Sequence, residues 1–245
     1  MSTEIEIAGV RMRIEFRLPD TAKHFLNFIT RENCEDWDVR VRNEDLLRFA
    51  SICSDGVLTP DSEAYILMAH ASSVLLPFAR VMFHGVSFLW RGKAWLLTAP
   101  SGTGKTTQLR HWQRLWPEDI GVINGDKSVL AREEDGSFRV YPSPWTGKEK
   151  DAGDLSGPLG GIVVLQQADH NAIRRLEPGE SVLRIFEQFL ILDDSLDVLR
   201  AAGEMEASLL EKIPVWLLDN LGDEASARLT YAALSDYEAM MNEDL

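Results

Sequence analysis

The sequence predicts an α/β protein with a mostly β core and helices packed outside it, and three observations indicate this class. Residues 4–18 alternate between apolar and charged side chains, which is the period of a strand, and they predict a hairpin that turns at Ala8-Gly9. Strand-like runs recur between residues 80 and 166, whereas helical spacing dominates beyond residue 178. At residues 94–115 an apolar strand leads through a glycine-rich loop into a helix.

Local patterns place the individual elements. Thr59 is typical of a helix cap and Pro60 of the first helical position, so we expect a helix to begin there. We place the domain boundary at this point, with residues 1–58 as a small N-terminal β/α region and residues 59–245 as the main domain. Residues 37–50 show no clear period. Strands are predicted at residues 80–83, 86–90, 94–98, 120–123, 127–131, 138–141 and 161–166, and helices at residues 105–115, 178–190, 193–202 and 223–241.

The composition of the chain excludes several kinds of partner. With 245 residues and a formal net charge of −14, the chain has no excess of basic side chains to neutralise the phosphates of a nucleic acid. Cys34 and Cys53 are too few for a disulfide framework, and no secretory apolar segment precedes them. No apolar run reaches membrane-spanning length. We therefore expect a cytoplasmic protein that binds neither nucleic acid nor membrane.

The segment Ser101-Gly102-Thr103-Gly104-Lys105-Thr106-Thr107 has the composition and context of a phosphate-binding loop. Its two glycines let the backbone curl so that successive N–H groups point at one phosphate, and the following helix adds the positive end of its dipole. Lys105 would reach the β- and γ-phosphate oxygens, and Thr106 offers a hydroxyl to Mg²⁺. Ala99 replaces the first glycine of the strict pattern. These residues predict binding of ATP, or another nucleoside triphosphate, with Mg²⁺.

A second metal ligand is expected from an acidic residue at the end of an apolar strand. Asp126 ends the run Val122-Ile123-Asn124-Gly125-Asp126, 21 residues after Lys105, and is the favoured candidate. Asp169 follows a longer apolar run but lies beside His170 and Asn171, a composition that favours a turn. Asn124-Gly125-Asp126 also fits a type I′ hairpin turn, and the segment could serve as both turn and ligand.

Together these motifs resemble a known family. The pair His84-Gly85 lies 21 residues before Lys105, and an acidic strand end follows the loop closely at Asp126. This order resembles HPr kinase/phosphorylase and its relatives of phosphoenolpyruvate-carboxykinase-like fold. The resemblance covers residues 59–150 best. It implies a P-loop kinase core with a mixed β-sheet and flanking helices.

The resemblance also implies roles for individual residues. His84 would lie beside the reacting phosphate or Asp126, Lys105 would bind phosphate, and Asp126 would bind metal with Thr106. The family carries two adjacent aspartates at the strand end, whereas this chain has Gly125-Asp126. Asp126 would then do both jobs, or the base would come from elsewhere, or transfer would be weak.

A further loop, Pro144-Trp145-Thr146-Gly147-Lys148-Glu149, is similar to a stretch found in relatives of that family. It is a candidate site loop that presents Trp145, Lys148 and Glu149 to substrate or phosphate. The alternative is that Trp145 packs under a proline-rich turn while both charged side chains are solvated.

The expected activity is ATP-dependent phosphoryl transfer to a hydroxyl acceptor, such as a serine of a protein or peptide. Two other functions stay open from the sequence. One is an ATP-binding regulatory or accessory protein with little turnover, which Gly125 in place of an acid favours. The other is a small-molecule kinase. A homo-oligomer is compatible with each of them.

Overall fold

A computed structural model describes residues 1–34, 37–52, 57–147, 153–191 and 195–243. The strands are β1 (Ser2–Ile7), β2 (Val10–Glu15), β3 (Asp38–Arg40), β4 (Arg80–His84), β5 (Val86–Trp90), β6 (Lys93–Thr98), β7 (Gly121–Asn124), β8 (Lys127–Arg132), β9 (Phe138–Tyr141), β10 (Gly157–Gln167), β11 (Ala172–Arg175) and β12 (Val215–Asn220). The helices are α1 (Asn43–Ile52), α2 (Pro60–Leu75), α3 (Lys105–Leu115), α4 (Pro178–Phe186), α5 (Leu196–Lys212) and α6 (Glu224–Glu243), with 3-10 helices at Pro19–Phe28 and Leu76–Phe78.

The main sheet places the glycine-rich loop at one of its edges. Strand β10 pairs in parallel with β6 on one side and with β12 on the other. The remaining pairs of this sheet are antiparallel, in the order β4-β8-β9-β10-β6-β5-β7, with β11 on β12. Because parallel strands end at the same edge, Thr98, Gln167 and Asn220 lie near one another there. The predicted α/β class with a mixed sheet and flanking helices is confirmed.

Helices cover both faces of this sheet because the side chains of β6 alternate between two apolar clusters. Trp95 and Leu97 pack with α3 and α6, whereas Ala94 and Leu96 pack with α4 and α5. The first cluster contains Trp112, which is fully buried, as its predicted packing role requires. Rigid packing on both faces fixes the end of β6, where the loop begins.

The N-terminal region is a three-stranded sheet with a helical cover. Strands β1 and β2 form the predicted hairpin, and its turn residues Ala8 and Gly9 both have positive φ. Strand β3, helix α1 and the first 3-10 helix were not predicted, because they are short and their apolar residues show no sustained period. The inner face of this sheet shares one cluster with α2 and with Met82 and Val129 of the main sheet, so apolar packing crosses the predicted boundary at residue 59.

Two predicted helices have different bounds in the structure. The helix expected over residues 178–190 ends at Phe186, because the next residues hydrogen-bond to β4 instead. Leu190 N donates to Met82 O at 2.8 Å, and His84 N donates to Gln188 O at 2.8 Å. The helix expected over residues 193–202 extends to Lys212. In the described ranges, no helix combines the length and apolar character needed to cross a membrane.

Candidate functional site

The glycine-rich loop connects β6 to α3 with the backbone geometry of a phosphate cradle. Gly102 has φ of +83° and Gly104 has φ of +107°, a region that L side chains rarely adopt. Gly104 caps α3, so the first helical N–H groups face the loop. A Cβ on Gly104 would also lie 3.5 Å from the amide nitrogen of Asn220. The loop therefore requires glycine at this position for its conformation, and it presents backbone donors to an anion.

Lys105 turns back into this loop. Only 8 % of the residue is exposed, and its Nζ donates to Ala99 O at 2.7 Å and to Pro100 O at 3.2 Å. Burial lowers the pKa of Lys105, and the nearby Lys127 lowers it further, whereas Asp126 opposes both. The ammonium group is thus positioned among carbonyl groups at the base of the loop, where a phosphate oxygen would be a stronger acceptor.

Asp126 lies opposite the loop in contact with His84. Asp126 Oδ1 is 3.5 Å from His84 Nε2, and Asp126 Oδ2 accepts a hydrogen bond from Lys127 Nζ. Gly85 N donates to Asp126 O at 2.8 Å, which fixes the two segments to each other. Both side chains in the His84–Asp126 pair are 23 % exposed. The structure therefore brings together the histidine, the loop lysine and the acid that the sequence placed 21 residues apart on either side.

The turn that carries Asp126 is held by Asn124. The buried Asn124 side chain accepts hydrogen bonds from Asp126 N and Lys127 N, both at 2.9 Å, and donates to Ser143 O at 2.9 Å. The type I′ hairpin interpretation is wrong. Strand β7 pairs with β5 whereas β8 pairs with β4 and β9, and Gly125 does not have positive φ. The turn is a crossing between neighbouring parts of the sheet, which aims Asp126 at the site.

His84 is held on several sides. Its carbonyl oxygen accepts a hydrogen bond from Thr98 Oγ1 at 2.7 Å, and Thr98 ends the strand before the loop. Burial lowers the pKa of His84, Lys105 and Lys127 lower it further, and Asp126 and the Gln188 side chain act in the opposite direction. The net effect favours a neutral ring, which keeps one ring nitrogen able to accept a proton.

The alternative acid, Asp169, has a different setting. Its side chain is 99 % exposed in a turn after β10, and its Oδ1 lies 2.9 Å from His170 Nδ1. The hydrogen bond from His170 lowers the pKa of Asp169. This arrangement is the turn that the composition indicated.

The proline-rich loop contacts the site through its backbone. Trp145 is 6 % exposed, donates from Nε1 to Ala64 O at 2.7 Å and packs edge-on against Phe25 at 6.0 Å between ring centroids. Its ring therefore packs into the N-terminal cluster, as the alternative interpretation held, and not into the nucleotide site. Gly147 has φ of +72°, and a Cβ there would lie 2.9 Å from Asp126 Cβ. The predicted Lys148 and Glu149 lie outside the described residues.

The site fits a metal ion only together with a phosphate ligand. Across the described parts of the chain, no group of three or more His, Cys, Asp or Glu is gathered for metal binding. Mg²⁺ commonly takes one or two protein ligands and completes its shell with phosphate oxygens and water. The half-buried Thr106 on the first turn of α3 and Asp126 across from it are the residues that would hold it.

Three site residues escaped the sequence reasoning. Lys127 pairs with Asp126 and adds a second buried cation, and its position next to the predicted acid was the available signal. Asn220 supports the loop, accepting a hydrogen bond from Gln108 Nε2 at 2.9 Å. Gln188 holds His84 through its backbone. No local pattern marks Asn220 or Gln188, because their contacts are with distant segments.

Comparison with known proteins gives little at the level of sequence. No protein-family model and no curated protein matches the chain. Among solved structures, the chain is similar to the Hpr(Ser) kinase/phosphatase from Coxiella burnetii, with 11 % identity and a TM-score of 0.36. The match covers 64 % of this chain and 98 % of that one. Because a likeness at this level does not transfer an activity, we build the function on the geometry of the site itself.

Proposed function

We propose that this protein binds a nucleoside triphosphate with Mg²⁺ and transfers the γ-phosphoryl group to a hydroxyl acceptor. One observation carries the proposal. The glycine-rich loop places the buried Lys105 in the same site as the His84–Asp126 pair, 3.5 Å apart. Phosphate donors and a proton acceptor thus share one site, which is the minimum that phosphoryl transfer requires.

Each group has a chemical task in this proposal. The loop N–H groups and the start of α3 bind phosphate oxygens, and Lys105 leaves the loop carbonyls to contact the transferred group. Thr106 and Asp126 hold Mg²⁺, which neutralises phosphate charge when bound. The acceptor hydroxyl oxygen forms a bond to the γ-phosphorus as the bond to the β,γ-bridging oxygen breaks. The nucleoside diphosphate leaves, and the hydroxyl proton passes to the neutral His84 ring.

A specific observation supports a second function, a nucleotide-binding accessory protein with little turnover. Lys127 already occupies Asp126 Oδ2, and Gly125 supplies no second carboxylate. An acid engaged in this way contributes to binding more readily than to proton transfer.

The binding part of the proposal is tested by calorimetry with MgATP on the wild type and on Lys105→Ala. Loss of one charge-assisted hydrogen bond of about 1.5–3 kcal/mol predicts affinity lower by roughly 10- to 150-fold. Lys23→Ala is the matched control, because Lys23 is 73 % exposed on the N-terminal region. Unchanged affinity in Lys105→Ala would remove the loop from the proposal.

The catalytic part is tested with γ-labelled ATP and two acceptor sets, serine-containing peptides and small polyols. Label on an acceptor supports a kinase. Tight MgATP binding with label on neither set supports the accessory protein instead.

A further inference from the structure

A cavity of about 240 Å³ lies beside the phosphate-binding loop. Pro100 and Thr103 of the loop form one wall, and the end of β10 forms the floor. The opposite wall comes from Arg184, Glu187 and Gln188, at the end of α4 and just beyond it. A group bound in the cavity would therefore contact the loop that holds the phosphates.

Gln188 connects this cavity to the His84–Asp126 pair. Its backbone oxygen accepts the His84 N–H at 2.8 Å, and its side chain lines the cavity. The residue is 6 % exposed, and within the described part of the chain its Oε1 has no hydrogen-bond partner. A buried amide oxygen without a donor is unfavourable, so a ligand that brings an O–H group would complete it.

The size and lining of the cavity narrow the class of ligand. Its volume lies below the roughly 300–1,000 Å³ of pockets that hold whole small molecules, which favours a single side chain. Arg184 and Glu187 are exposed at its wall and match the carbonyl and N–H groups of a peptide backbone. One helical turn before Glu187, Leu183 is 74 % exposed and offers apolar surface to a flanking residue.

We propose that this cavity is the acceptor site and that the acceptor is a serine or threonine side chain on a peptide segment, an inference that rests on the proposed function. The hydroxyl group accepts orientation from Gln188 Oε1 and faces the phosphate loop. In the transfer, its oxygen bonds to the γ-phosphorus, the nucleoside diphosphate leaves, and its proton passes to His84, the neighbour of Gln188.

The test uses an arrayed library of nine-residue peptides with a central serine, phosphorylated with MgATP by the full-length protein. The peptide labelled best is then tagged with fluorescein, and its binding is measured by anisotropy in the presence of MgADP. Gln188→Leu removes one neutral hydrogen bond and is expected to weaken peptide binding about tenfold. Arg184→Ala, at an exposed position that does not endanger folding, is expected to weaken it by a similar factor.

In both variants MgATP affinity stays within about twofold of the wild type, because neither residue belongs to the nucleotide contacts. Gln113→Leu on α3 is the matched control and retains peptide binding. Unaltered peptide affinity in Gln188→Leu and Arg184→Ala overturns the acceptor site while the proposed function stands. Transfer to polyols and to no peptide overturns the peptide class. Failure of the wild type to bind MgATP overturns the proposed function itself.

Discussion

Glu206 gives a prediction whose size follows from the structure. It lies on α5 with only 5 % of the residue exposed, and one carboxylate oxygen is without a hydrogen-bond partner among the described residues. Burial raises the pKa of Glu206 to about 7, and a hydrogen bond from the Phe186 N–H offsets only part of the effect. The folded protein therefore holds this proton over a pH range in which the unfolded chain has lost it.

The sign and size of the effect on stability follow from that difference. The contribution is fully present below the ordinary glutamate pKa of 4.5 and is lost as the pH rises through about 7. A rise of this size corresponds to about 3 kcal/mol, so the wild type loses up to that amount between pH 4.5 and pH 8. Glu206→Gln keeps the shape and stays neutral, and we expect it to be more stable than the wild type at pH 8 by roughly 2–3 kcal/mol.

The assay is urea unfolding followed by tryptophan fluorescence, at several pH values from 5 to 8.5, with free energies from linear extrapolation. Glu204→Gln is the matched control because Glu204 lies exposed on the same helix. The Glu206→Gln and wild-type curves should converge at pH 5 and separate as the pH rises, whereas Glu204→Gln should follow the wild type throughout. If Glu206→Gln and the wild type show parallel stability profiles across this range, the inference from burial is refuted.

Three further predictions concern the site. Asp126→Asn should lose Mg²⁺-dependent turnover far more than Asp169→Asn, since Asp169 is 99 % exposed, and a Mg²⁺ titration of activity with the reverse order would contradict the metal assignment. Trp145→Ala should cost about 3–5 kcal/mol in urea unfolding without a direct loss of nucleotide contacts, and unchanged stability would exclude its packing role. Gly104→Ala should weaken MgATP binding in calorimetry, because φ of +107° strains any L side chain; wild-type affinity would show that the loop tolerates it.

The sequence by itself determined the elements that depend on neighbouring residues. Helix α3 begins and ends where its pattern predicted, at Lys105 and Leu115. Thr59 caps α2 through a reciprocal pair of hydrogen bonds with Ser62. The conformation of the glycine-rich loop was predictable for the same reason, since positive φ at Gly102 and Gly104 is a local requirement. The boundary of α4 was missed because pairing with β4 overrides helical periodicity.

Only the tertiary structure decided which distant residues meet at the loop. The resemblance placed His84 near Asp126, but the contact itself depends on Gly85 bonding to Asp126 and on Thr98 holding the His84 carbonyl. Gln188 carries no sequence signal, because it reaches the site only when the chain after α4 pairs with β4. Local patterns encode dihedral preferences and faces, whereas the sheet order sets which strand ends become neighbours. That order follows from burying both faces of the sheet at once, a property of the whole chain that no short segment contains.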